Sequence, residues 1–129
     1  MAYTLDWFVP NRIAVAKVGE TLTLEDGYTQ NSYMLPLLAS ADQPIHLVLD
    51  LTLTRHFPMR LNENVLAGTE YMRHPMMGWL IVVNQGSNPF LHLLVSVVGK
   101  TTGVNLRFVN SFDEALSSLH KLDLTLQAT

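Results

Sequence analysis

The chain has 129 residues, a length that suits one domain with a single hydrophobic core. Its net charge of −3, with only eight Lys and Arg, argues against a nucleic-acid-binding protein, because such proteins need a concentrated basic surface. The absence of cysteine excludes disulfides, thiol nucleophiles and cysteine-ligated metals.

The chain opens with a pattern that predicts a β-hairpin. Residues 3–9 alternate apolar and polar side chains, turn residues follow, and residues 13–18 form a second apolar strand. A helix is predicted from Thr23, whose hydroxyl can cap the helix together with Asp26 three residues on. Pro36 is expected to kink this helix or end its regular part.

The most apolar strand is predicted over residues 45–52, and we expect it to be buried on both faces at the centre of a sheet. A second helix is predicted over about 63–72, and a further apolar strand over 78–83. The helix predicted over 89–100 is apolar almost all round, so something must cover its apolar surface. The two interpretations are core packing, or a partly exposed groove for a dimer partner or an acyl chain.

The last elements are a short strand over 106–109 and a helix that begins at Ser111. Ser111 and Glu114 form the sequence signature of a capping box, and the apolar residues that follow repeat with helical spacing. The predicted order is β-β-α-β-α-β-α-β-α over residues 1–129 as one domain. This order predicts an α/β fold with a mixed, mostly parallel sheet of about five strands and helices packed on it.

Several short segments resemble the STAS domain, the SpoIIAA-like fold of bacterial anti-sigma-factor antagonists. They are Val18-Gly19-Glu20, the strand Leu47-Val48-Leu49-Asp50-Leu51-Thr52 after Pro44, Gly103-Val104-Asn105-Leu106-Arg107-Phe108-Val109, and Phe112-Asp113-Glu114-Ala115-Leu116. The similarity of layout covers most of the chain. It implies a regulatory module that works by binding another protein.

The chain departs from the STAS pattern at the phosphorylation site. The family carries a phosphorylated serine at the start of the helix after the central strand, which corresponds here to the region near Pro58 and Met59. No serine occurs between Leu51 and Asn64. A phosphoserine switch therefore cannot be transferred from the family, and the nearby Thr52 and Thr54 are interpreted as ordinary strand-end residues.

Polar and basic residues follow two strands whose carboxyl ends meet at one edge if the sheet is parallel. Such an edge, with helix N-termini next to it, is where open α/β sheets bind ligands. We expect a binding site for a carboxylate, a phosphate or an acidic partner loop there, although two solvated loops would show the same pattern. The candidate residues are Asp50, Thr52, Arg55, His56, Arg60, Asn62, Asn84, Ser87 and Asn88.

No motif in the chain indicates catalysis, a metal site or a cofactor. Asp50, His56 and Ser87 could form a hydrolytic set, but no sequence signature marks the serine, and Asp50 is better explained as a cap for backbone N–H groups. No histidine pairs with another histidine or with a carboxylate in a recognisable metal-ligand pattern. His46 and His92 lie in apolar runs and are expected to be core or interface residues.

Three functions remain open from the sequence. The first is a non-enzymatic regulatory module that binds a protein partner, including a second copy as a homodimer, through residues 52–66 and 84–91. The alternative is a protein that binds a small lipid or anion with an apolar pocket, and the third is an enzyme that uses Asp50 and His56. The N-terminal sequence lacks a signal-peptide pattern and no apolar stretch exceeds about half a bilayer span, so we expect a cytoplasmic protein without a membrane span.

Overall fold

The computed structural model describes residues 3–56, 69–85 and 89–128, and five strands in these ranges form one sheet. The strands stand in the order β1-β2-β3-β4-β5; β1 pairs antiparallel with β2, and the other three pairings are parallel. Their bounds are Thr4–Val9 for β1, Ile13–Lys17 for β2, Ile45–Asp50 for β3, Met77–Val83 for β4 and Asn105–Val109 for β5. The predicted mixed, mostly parallel sheet is confirmed, with the predicted central strand as β3.

Within the described ranges, three α-helices and two 3₁₀ helices connect and follow the strands. The α-helices are α1 (Leu24–Ala39), α2 (Pro89–Thr102) and α3 (Phe112–Leu122), and the 3₁₀ helices span Glu70–Arg73 and Leu124–Ala128. The helix predicted over 63–72 falls mostly outside the described residues. Its described end is the first of the 3₁₀ helices rather than α-helix.

The predicted starts of α1 and α3 are capped by side chains. The Thr23 hydroxyl accepts from the Asp26 N–H at 3.0 Å, and the Asp26 carboxylate accepts from the Thr23 N–H at 3.0 Å. At α3, the Ser111 hydroxyl accepts from the Glu114 N–H at 3.1 Å, while the Glu114 carboxylate accepts from Asn110, one residue before the expected donor. These local hydrogen bonds fix where α1 and α3 begin.

The sequence predicts that Pro36 kinks α1 or ends its regular part, and the second alternative is wrong. The helix continues to Ala39. Proline removes only its own N–H bond, and the Pro36 carbonyl still accepts from the Ser40 N–H at 3.3 Å. Because Pro36 lies in the last turn, little helix remains for it to disturb.

The two faces of the sheet carry separate apolar clusters. Alternate residues of a strand point to opposite faces, so Leu47 of β3 packs on the side of α1 and α2 while Val48 packs on the side of α3. Both residues are fully buried. The doubly buried central strand predicted from the sequence is therefore present, and it orients the strand ends that carry the candidate site.

Most of the apolar surface of α2 is core. Leu91, Leu94, Val95 and Val98 are buried, whereas Leu93 is 57% exposed. The sequence predicts His92 in the core or at an interface, and the core position is wrong because its side chain is exposed. The His92 ring stacks on the Phe108 ring, with the two centroids 4.0 Å apart. His92 occupies the outer side of the helix turn whose inner side is apolar.

Candidate functional site

The parallel strands β2, β3 and β4 end at one edge of the sheet. Lys17 is aligned with Asp50, and Asp50 with Val83, so the loops that follow these strands leave the sheet side by side. We refer to the described residues 18–23, 51–56 and 84–85 of these loops as the carboxyl rim. This is the edge at which the sequence predicted a binding site.

Asp50 shapes the carboxyl rim through its own loop. Its Oδ1 accepts hydrogen bonds from the Thr52 N–H at 3.0 Å and from the Thr52 hydroxyl at 2.8 Å. This geometry is an Asx turn, in which the carboxylate replaces a backbone acceptor. The interpretation of Asp50 as a cap is supported, and a role as catalytic carboxylate gains no support from these contacts.

Backbone hydrogen bonds hold the loop after β3 against the loop after β2. The N–H groups of Arg55 and His56 donate to the Glu20 carbonyl at 2.8 and 3.1 Å, and the Leu22 N–H donates to the His56 carbonyl at 2.9 Å. The buried Thr54 hydroxyl donates to the Gly19 carbonyl at 2.8 Å. Thr54 is therefore inaccessible to modification, while Thr52 is exposed.

Several side chains on the carboxyl rim are exposed to solvent, although Val18, Leu51 and Thr54 are buried. Leu53 is 69% exposed, and Arg55 and His56 are exposed beside it. His56 Nε2 lies 3.8 Å from a Glu20 carboxylate oxygen with both side chains exposed, an arrangement that contributes little to stability. Backbone groups thus fix the loops, and one apolar and several charged side chains remain available for contacts outside the molecule.

Asn84 joins the same rim. The Leu51 N–H donates to the Val83 carbonyl at 2.9 Å, and the Asn84 N–H donates to the Val109 carbonyl at 3.0 Å, so Asn84 lies beside the loop after β3. The structure thus places Asp50, Thr52, Arg55, His56 and Asn84 on one edge. The other predicted site residues, Arg60, Asn62, Ser87 and Asn88, lie outside the described residues.

The opposite edge carries a polar cluster that sequence reasoning missed, which we call the amino-edge network: Arg12, His46, Asp123 and Thr125. Asp123 Oδ2 binds the Arg12 guanidinium at 2.7 Å and His46 Nε2 at 2.8 Å. The Thr125 hydroxyl donates to Asp123 Oδ1 at 2.5 Å and accepts from Arg12 at 3.0 Å. Arg12 and Asp123 are 111 residues apart, so no local pattern could reveal the pair.

His46 is fully engaged within the amino-edge network. Its Nδ1 accepts from the Trp79 N–H at 2.8 Å, so the neutral ring carries its proton on Nε2 and donates it to Asp123. Burial lowers the pKa of His46 and outweighs the opposing effect of Asp123. A Cβ at Gly78 would clash with the ring. Both nitrogens are occupied, which makes this histidine a structural group, as the sequence suggested.

Asp123 remains ionised within the same network. Its partial burial by itself raises the pKa, but hydrogen bonds from Thr125 and His46 outweigh that effect and hold the pKa at about 2. The carboxylate therefore provides the negative charge that compensates Arg12, whose side chain is nearly buried.

A cavity of about 120 Å³ lies between the sheet, α1 and α2. Its wall is mostly apolar, and one end carries a hydrogen-bonded chain in which Tyr3 donates to Gln30 at 2.9 Å and Gln30 donates to Tyr71. The Asn31 side chain accepts from the Tyr71 N–H at 2.8 Å and holds that residue in place. Residues 3–9 alternate apolar and polar side chains, but nothing local indicated the hydrogen-bond partners of Tyr3.

Within residues 3–56, 69–85 and 89–128, no group of three His, Asp or Glu side chains is arranged to hold a metal ion. Among the helices of these ranges, none is long and apolar enough to cross a lipid bilayer.

Two solved structures share this arrangement of strands and helices. An uncharacterized protein of the DUF3478 family with a SpoIIAA-like fold, from Shewanella loihica, superimposes with a TM-score of 0.64 at 18% identity, covering 92% of each chain. An anti-sigma factor antagonist from Mycobacterium paratuberculosis superimposes with a TM-score of 0.58 at 18% identity, covering 92% of this chain and 93% of that chain. The expected STAS-like fold is confirmed. No protein-family model matches the sequence, and no curated protein matches it.

Proposed function

We propose that this SpoIIAA-like fold serves as a non-enzymatic regulatory module that binds a protein partner through the carboxyl rim. One observation carries the proposal. Backbone hydrogen bonds hold the loops of the rim together, and the side chains of Leu53, Arg55 and His56 are exposed. Support also comes from the fold, which is similar to that of an anti-sigma factor antagonist.

The chemistry of the rim favours a protein partner over a small anion. Leu53 is an exposed apolar side chain with positive Arg55 close to it and negative Glu20 in the adjoining loop. An apolar anchor surrounded by charges of both signs is typical of protein interfaces, in which the anchor supplies affinity and the charges supply specificity. A site for a small anion would instead concentrate positive charge, and Glu20 opposes that.

Regulation by phosphoserine is not part of this proposal. The segment from Leu51 to Asn64 contains no serine, and Thr54 is buried with its hydroxyl bonded to a carbonyl. We propose that binding does not depend on a phosphoserine in this loop.

A second copy of the chain is one partner that the rim can accept. Symmetric homodimers are the commonest oligomers, and a charged fraction of 15% leaves a surface with fewer charges than usual. We propose that the chain forms a homodimer. Size-exclusion chromatography coupled to light scattering measures the molar mass and tests this directly. The variant Leu53→Glu should then elute as a monomer if the rim forms the dimer contact, because it places a carboxylate in the apolar centre of that contact.

Site-specific photocrosslinking tests the proposed partner surface. A photoreactive phenylalanine analogue at position 53 should form a discrete adduct in cells, identified by mass spectrometry, and Arg55→Glu should reduce its yield about tenfold because it reverses a charge beside the anchor. The matched control is position 124, since Leu124 is 71% exposed but belongs to the segment beside the amino-edge network. Equal adducts at both positions, or none at position 53, would contradict the proposal.

A further inference from the structure

The cavity between α1, α2 and the sheet has the size of a single small molecule. Its volume of about 120 Å³ is close to the roughly 150 Å³ of an apolar protein cavity that binds benzene. A cavity of this size can enclose a ring such as benzene but not the whole of a lipid acyl chain. The apolar part of the wall comes from both helices and the sheet, including Leu49, Val82, Leu91, Leu94, Val95 and Val98.

The polar end of the cavity has more hydrogen-bond donors than it uses. Tyr3, Gln30 and Tyr71 together carry four polar side-chain protons, two on the amide and one on each hydroxyl. The two hydrogen bonds of the chain use two of them, whichever way the amide is oriented. Among the described residues, these groups make no further side-chain hydrogen bonds, so two protons remain to bind an acceptor oxygen of a ligand.

The described lining of the cavity disfavours charged ligands. Its described lining contains no Lys, Arg or His but includes Asp26, at the start of α1. An anion would lie beside Asp26 without a counterion among the described lining residues. An ammonium group would lose its water in a mostly apolar space, where the Asp26 carboxylate already accepts from the Thr23 N–H. Burial raises the pKa of Tyr3 and of Tyr71, so both hydroxyls stay protonated and keep their donors.

We propose that this cavity binds a small neutral molecule of about six non-hydrogen atoms that presents one carbonyl or hydroxyl oxygen to Gln30 and Tyr71, with its apolar part against α2. The site is distinct from the carboxyl rim and independent of the function proposed there.

A matched series of five-membered rings tests this selectivity. Cyclopentanone, cyclopentane, cyclopentylammonium and cyclopentanecarboxylate share one ring and differ in their polar group. In titrations followed by ¹H–¹⁵N NMR, cyclopentanone should bind and shift the side-chain amide signals of Gln30. Cyclopentane should bind about fivefold to tenfold more weakly, because it lacks the hydrogen bond, and the two ions should not bind. Binding of either ion as tight as that of the ketone, or of no member of the series, would overturn the proposal.

The variant Tyr71→Phe removes one donor and keeps the shape of the ring. It should weaken cyclopentanone about fivefold and leave cyclopentane unchanged, since only the ketone uses the hydroxyl. Tyr33→Phe is the control, because it makes the same chemical change on α1 at a side chain that is 55% exposed. If Tyr71→Phe affected both ligands equally, the hydroxyl would not recognise the ligand.

A variant that fills the cavity separates binding from folding. Gly27 belongs to the cavity wall one turn before Gln30, and a Cβ there meets nothing within 4 Å. Gly27→Leu should therefore fold, as circular dichroism will verify, and abolish cyclopentanone binding. Binding at the wild-type affinity in this folded variant would place the ligand elsewhere and refute the site, whereas crosslinking at position 53 would remain unaffected by that result.

Discussion

The two edges of the sheet use polar residues in opposite ways. At the amino edge, side chains bond to one another, and Asp123 alone engages Arg12, His46 and Thr125. At the carboxyl rim, the loops are held mainly through backbone groups, and the Arg55 and His56 side chains remain exposed. Side chains that bond within the molecule stabilise the fold, whereas exposed side chains on loops held by the backbone can recognise another molecule.

The amino edge holds a partly buried ion pair and residues with shifted pKa values, yet it is not the proposed binding site. A cluster of Asp, His and Thr resembles the parts of a catalytic triad. In the amino-edge network, however, the second nitrogen of His46 accepts from the Trp79 N–H, so it cannot take a proton from a nucleophile. A shifted pKa marks structural ion pairs as well as catalytic groups, and the hydrogen-bond partners distinguish the two.

The largest expected effect comes from breaking the amino-edge network. Asp123→Ala should lower the free energy of unfolding by about 3 kcal/mol, because it leaves the nearly buried Arg12 without its counterion. The exposed Asp42 provides the control, and Asp42→Ala should change the same quantity by less than about 0.5 kcal/mol. Urea denaturation measures both. Equal losses of unfolding free energy in the two variants would show that the amino-edge network does not stabilise the fold.

A smaller effect is expected from acid. Below pH 6.5 the histidine of the unfolded chain takes up a proton while buried His46, with its lowered pKa, stays neutral, so stability should fall as the pH drops. The free energy of unfolding should fall again between about pH 4 and pH 2. In this range Asp123 takes up a proton in the unfolded chain before it does so in the folded state, because its pKa is 3.8 ordinarily and about 2 in the folded state.

The variant His46→Gln isolates the first of these two acid effects. Its glutamine can still donate to Asp123 but does not titrate, so its unfolding free energy should change less between pH 6.5 and pH 5 than that of the wild type. Denaturant midpoints at closely spaced pH values provide the measurement. Parallel curves for the two proteins would show that His46 does not govern this part of the acid response.

The smallest effect on stability is expected at the carboxyl rim. Leu53→Ala and Arg55→Ala should each change the free energy of unfolding by less than about 0.5 kcal/mol, because both side chains are exposed. The same variants should reduce partner crosslinking measured from a neighbouring position, such as 52. A stability loss above about 1 kcal/mol would mean that these side chains support the fold and would abolish the contrast between the edges.

Features that depend on neighbours in sequence were predictable. The alternation along β1 appears in the structure, and Thr23 and Ser111 cap their helices as predicted. The wrong expectations have local causes too. Pro36 lies in the last turn of α1, where little helix remains to end, and the apolar neighbours of His92 predict a core or interface position that is wrong for the core. The helical period places His92 on the exposed side of α2, although its neighbours in sequence are apolar.

The amino-acid sequence by itself determined the strand and helix pattern, and with it the edge at which the candidate residues meet, because hydrophobic periodicity and capping act over a few residues. Only the tertiary structure decided which polar groups are used internally. Asp123 meets Arg12 and His46, and Gln30 meets Tyr3 and Tyr71, across separations of 27 to 111 residues. Contacts over such separations depend on how the whole chain packs, and a local pattern contains no information about them.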